Sequence, residues 1–131
     1  MSGMTNDGKV DEHACWDFGG RRLPSDPSER VAVLHADAVA WLRGEFATAA
    51  AAEIDCVYRV HDRLRWCEVR LRQLVDEQGE VLFDGDLLSC DVPRRVNLVL
   101  ACDTIAKAME VDPKLVADHL VGDVYLMRLR S

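Results

Sequence analysis

Between Ile54 and Gln78 apolar side chains return every three or four residues, at Val57, Val60, Leu64, Cys67, Leu71 and Leu74. On a helix these positions form one stripe that persists over about five turns. Arg59, Arg63, Arg65, Arg70 and Arg72 fall on the remaining faces. The spacing predicts a long amphipathic helix, and the rest of the fold must supply a partner for its apolar side.

Punctuation residues divide the rest of the chain. A first helix is expected near Ser28, with Pro27 just before it, Glu29 in its first turn and Val31, Leu34, Ala38, Trp41 and Leu42 as its face. Gly44 can bend or end it, and the alanine-rich run Phe46 to Ala52 lets a helix resume, giving an antiparallel pair or one kinked helix. Gly79 reads as a helix stop. Asp91 and Pro93 open a further helix that ends before Val111-Asp112-Pro113, and Asp112-Pro113 restarts one over Lys114 to Val121, which Gly122 stops. The segment Val124 to Leu129 is too apolar for a free tail and reads as a strand or a last helical turn on the core. The expectation is an all-α, bundle-like domain of four to five helices over residues 28–131, compatible with a short strand pair from 80–88 and 123–130. Residues 1–27, rich in glycine and proline, form an irregular or flexible N-terminal arm. The alternative is an α+β fold with a short hairpin around residues 68–88, turning at Glu77-Gln78-Gly79.

A length of 131 residues suits one domain, and 49% hydrophobic with 30% charged residues is a globular balance. No apolar run approaches the ~20 residues of a membrane span. The first residues lack the apolar core of an export signal, so a cytoplasmic location is expected and no membrane partner. Five cysteines without a Cys-x-x-Cys pair read as free thiols, with Cys56, Cys67 and Cys102 acting as small core hydrophobes. A net charge of −7 disfavours nucleic acid as a partner unless a local basic patch overcomes it.

Residues Thr104 to Leu120 resemble the helix-turn-helix of DNA-binding regulators, with Ile105 and Ala106 packing the first helix, Val111 in the turn and Val116 buried in the second. That resemblance implies Lys107, Lys114 and His119 as DNA contacts. Two features depart from it: Glu110 stands where such turns usually carry glycine, and Asp112 and Asp118 load the reading helix with negative charge.

Arg59, Arg63 and Arg70 share a helical face at steps of four and seven, and they belong to the densest basic cluster in the chain. Asp55, Asp62, Glu68 and Asp76 are interspersed, so a salt-bridged solvent face competes with a docking face. If the face docks something, arginine forks favour an acidic protein surface. Trp16 and Phe18 in the arm can anchor on the domain or on a partner. His35 and His61 each lie within reach of carboxylates in sequence, His61 beside Asp62 and one turn from Asp55, which allows a small enzyme working through a His/carboxylate pair. No metal site or cofactor is expected. Asp11-Glu12-His13-x-Cys15 lacks distant partners, and Asp84-Gly85-Asp86 with Asp91 reads as a turn and a helix cap. The expected function is therefore a non-catalytic protein-binding module, of the small-subunit, adaptor or inhibitor/immunity type. It would act through the arginine-bearing helical face with another protein or a second copy; the DNA-binding regulator and the enzyme are the alternatives.

Overall fold

The computed structural model describes residues 15, 16 and 22–130. A two-residue strand β1 (Cys15–Trp16) pairs with β2 (Arg22–Leu23). Helix α1 (Pro27–Glu45) follows, then strands β3 (Ala51–His61), β4 (Leu64–Val75) and β5 (Val81–Phe83). A 3-10 turn at Leu87–Ser89 leads into α2 (Val92–Val111), the single-turn α3 (Pro113–Val116) and strands β6 (Asp118–Val121) and β7 (Val124–Arg128). The main sheet is antiparallel with order β5-β4-β3-β7-β6.

The fold is thus α+β and the expected all-α bundle is overturned, as is the description of residues 28–131 as a helical domain. The segment read as one long helix is β3, a tight turn and β4. Two features of the hairpin explain why its sequence imitates a helix. First, the β3–β4 register slips between Glu53, opposite Gln73, and Ile54, opposite Leu71, so Arg72 is an extra residue in a bulge. Leu71 and Leu74, three apart, consequently both point into the core, which is helical spacing produced by a strand. Second, the turn at Asp62-Arg63 carries no glycine; Asp62 itself takes the positive φ of 55°. Val60 and Leu64, members of the supposed buried stripe, are exposed. The alternative hairpin around 68–88 is closer to what forms: the end of β4 meets β5 through Leu74–Phe83 and Val75–Val81, about a turn with Gly79 at φ 80°.

Both long helices begin where capping chemistry places them. The Asp26 carboxylate accepts from the Glu29 N–H ahead of Pro27, and Asp91 does the same for the Arg94 N–H ahead of Val92-Pro93. α1 buries Val31, Leu34, Ala38 and Leu42, leaving Trp41 partly exposed. It packs on α2, which in turn lies against β4. Glu45 joins the two helices, accepting from Arg94 Nε at 3.1 Å and Asn97 Nδ2 at 2.7 Å. Hydrogen bonds from Asn97 and then Arg94 hold the Glu45 carboxyl below its ordinary range. No second helix resumes after Gly44; the alanine run turns at residues 47–48 and enters β3. Residues 80–88 and 123–130 do not pair with each other: β5 joins β4, while β7 joins β3 and β6.

One face of the sheet is closed by the core. Along β3 burial alternates through Ala52, Ile54 and Cys56; Leu74 and Leu71 are buried opposite the first two, and Cys67, opposite Tyr58, extends the same face. The opposite face carries Glu53 and Asp55, both bound by the Arg72 guanidinium at 3.0 and 3.2 Å. Among the described residues no helix is long and apolar enough to cross a membrane.

Candidate functional site: the overhanging β3–β4 hairpin

β3 and β4 are much longer than their neighbours. β7 pairs with β3 only from Ala51 to Asp55, and a last bond runs from the Cys56 N–H to the Asp123 carbonyl. On the other side β5 meets β4 only at Leu74 and Val75. Residues 57–67 therefore project as a two-stranded arm with no neighbouring strand, among the described residues, on either side. An isolated ribbon of this kind is marginal in water without something behind it.

What stands behind it is the C-terminal end of α2. The Tyr58 hydroxyl donates to the Met109 carbonyl at 3.4 Å, and the Cys67 N–H donates to Glu110 Oε2 at 3.2 Å. Burial pushes the Cys67 thiol up to about 12, reinforced by its neighbour Cys56, and raises Cys56 and the Tyr58 hydroxyl as well. The two buried thiols are a packed, un-ionised base for the arm, in keeping with cysteines that act as small hydrophobes.

Past that base the arm is exposed and apolar. Tyr58, Val60, Leu64 and Trp66 are 51, 66, 69 and 36% exposed. Tyr58 and Val60 lie on the face that continues the core, whereas Leu64 and Trp66 lie on the open face opposite His61 and Arg59. Arg59 is committed to Glu68 at 3.2 Å, and Glu68 also accepts from Trp66 Nε1. Arg63, Arg65 and Arg70 form no ion pair among the described residues. Asp55, which stands opposite Arg70 across the strands, is held by Arg72.

The sequence-derived site residues are thus only partly brought together. Arg59, Arg63 and Arg70 do share the β3–β4 hairpin, but on strands and a turn, and Arg70 lies behind the projecting arm; the arginine-bearing helical face does not exist. Phe18 lies outside the described residues, and Trp16 is described as a strand position alone. Lys107 is on α2, Lys114 on the single turn α3 and His119 on β6. The helix-turn-helix resemblance fails structurally because its second helix ends at Val116 and the chain passes into a strand. His119 bonds the Gly122 carbonyl through Nε2 at 2.8 Å and stacks on Tyr125.

His61 faces Asp62 at 3.7 Å on the exposed tip. His35 lines an open groove of about 550 Å³ with Lys114, Asp118 and Arg128, but Asp118 is engaged by Arg128 and forms no hydrogen bond with His35. Asp84 and Asp86 accept backbone N–H groups of the following turn, and Asp91 caps α2, as their spacing implied. Sequence reasoning missed Tyr58, Val60, Leu64, Trp66 and Glu110. The readable signal was a run of β-branched and aromatic residues on both sides of Asp62-Arg63. Compared with known proteins, the chain matches no family, no curated protein and no solved structure.

Proposed function

We propose that this protein is a non-catalytic protein-binding module, a small subunit, adaptor or inhibitor-type chain, whose contact surface is the distal β3–β4 hairpin. The observation that carries the reading is the overhang itself: Tyr58, Val60, Leu64 and Trp66 are exposed on an arm that no other strand among the described residues supports. Clustered exposed apolar groups with aromatic and arginine side chains are the composition of interface centres. We place this work in the cytoplasm, where Cys56, Cys67, Cys90 and Cys102 would remain the free thiols they are here.

The test is site-specific photo-crosslinking in the native host, with the crosslinker in place of Leu64 and, as control, in place of Glu29 on the first turn of α1. A discrete adduct near equal stoichiometry from position 64 alone is expected. Equal adducts from both positions, or none from 64, would refute the reading. The pair Leu64→Ser and Trp66→Ser should abolish the adduct formed from a crosslinker at Val60 while leaving the melting temperature within a few degrees, since neither side chain is in the core.

A further inference from the structure

Resting on the hairpin reading, we propose that the occupant is an extended acidic segment of another protein, which adds as a strand along the free edge of β4 between Arg65 and Arg70, in line with β5. Two observations converge on that edge. β5 stops after three residues, so the outward polar groups of β4 ahead of Leu74 have, among the described residues, no strand beside them. The outward direction is known: the Cys67 N–H donates to a Glu110 carboxylate oxygen at 3.2 Å. By the alternation of antiparallel strands, the N–H and C=O groups of Arg65 and Val69 point the same way.

Glu110 is therefore a stand-in. Its oxygen sits where the carbonyl of an added strand would accept from Cys67, which shows that this edge is aligned for strand addition and is protected by one side chain. Charge selects the occupant. Arg63, Arg65 and Arg70 lack ion pairs among the described residues, in a chain whose net charge is −7, and Leu64 and Trp66 supply apolar contacts between them. A strand alternating acidic and apolar side chains puts one kind on each face, because residues two apart fall together: its acids then lie beside Arg65 and its apolar groups beside Leu64 and Trp66, on the open face that also carries Arg70. A second copy pairing edge to edge fits less well, since it would bring its own Arg63, Arg65 and Arg70 and a second Glu110 to the same place.

The probe is a ten-residue peptide alternating glutamate and valine, titrated against the full chain by fluorescence anisotropy with amide hydrogen exchange as the structural readout. Expected are salt-sensitive binding, slowed exchange at Arg65 and Val69, and about tenfold weaker binding both for the lysine-for-glutamate peptide and for a peptide N-methylated at alternate amides. Arg65→Glu with Arg70→Glu should abolish binding. Glu110→Ala should strengthen it severalfold, because the stand-in and its charge are gone. The inference is overturned by equal binding of the lysine or N-methylated peptide, by protection elsewhere than 65–70, by weaker binding to Glu110→Ala, or by no binding up to about 1 mM. A concentration-dependent dimer that protects the same amides overturns it in favour of a second copy. Failure of the peptide with a discrete adduct still formed from position 64 removes this inference alone; failure of both removes the module reading too.

Discussion

Replacing Gly85 with alanine should destabilise the protein by an amount that can be worked out from two independent features of the loop between β5 and α2. Gly85 has φ +93°, and a Cβ built there lies 2.7 Å from the Arg72 carbonyl oxygen and 3.4 Å from that of Leu71. The backbone conformation costs an L-residue roughly 1–2 kcal/mol. The contact cannot be relieved by a side-chain rotation, because both oxygens belong to the bulge of β4, so the loop must lift at a further cost of about 1–2 kcal/mol. A total near 2–4 kcal/mol, at about 2 kcal/mol per molar urea, lowers the unfolding midpoint by about 1–2 M. Gly44→Ala is the internal control: it lies in the last turn of α1 with nothing within 4 Å of the added carbon, and should raise stability by about 0.5 kcal/mol. Urea titrations followed by tryptophan fluorescence and by circular dichroism measure both. The reasoning is refuted if Gly85→Ala unfolds at the wild-type midpoint, or if both substitutions move it in the same direction. The same contact marks where β4's edge is closed by its own loop and hence where the open stretch ends.

Three further predictions concern the core and its charges. Ile54→Ala, fully buried on the central strand, should cost about 2–5 kcal/mol in the same urea assay, while Val60→Ala on the exposed arm should change stability by about 0.5 kcal/mol or less. Thiol labelling at pH 8 in a Cys15→Ser background should modify Cys90 quickly and spare Cys67 and Cys102, whose pKa values burial raises to about 12 and about 11; labelling of Cys102 as fast as Cys90 would contradict the packing described. Because the Glu45 carboxyl is held below its ordinary value of 4.5, its contribution is fully present above that pH and is lost as the pH falls through the lower folded-state value. The stability gap between wild type and Glu45→Gln should accordingly be constant near neutrality and close between about pH 5 and pH 3; a gap that widens on acidification would show the sign to be wrong.

Local chemistry was legible wherever a single residue decides a local event. Asp91 caps the helix that Pro93 announces and Pro27 stands in the first turn of α1, whereas Gly79 and Gly122, expected to stop helices, sit instead at turns between strands with φ 80° and 56°. Many core members were also visible, because Val31, Leu34, Ala38 and Leu42 on α1, and Cys67, Leu71 and Leu74 on β4, are buried whichever element carries them. The element type at 54–78 was not visible. A bulge at Arg72 restores three-residue spacing between inward leucines, and arginines with good helix propensity fill the exposed positions of a strand.

For the candidate site, the sequence named the arginines through their charge alone and was silent on their neighbours. Arg59 and Arg72 are spoken for by Glu68, Glu53 and Asp55, while Arg63, Arg65 and Arg70 have no ion pair among the described residues, and that division depends on cross-strand register. The exposure of Val60 and Leu64 follows from the short partners β5 and β7, of which β7 lies some seventy residues further along the chain. The sequence by itself determined where the two long helices begin and which apolar residues are available to a core, since these follow from capping, backbone preference and hydrophobicity within a few residues. Only the tertiary structure decided that residues 51–75 are strands, how far they outrun their neighbours, and that Glu110 guards the edge they leave open, because strand pairing is made between distant segments and has no local signature.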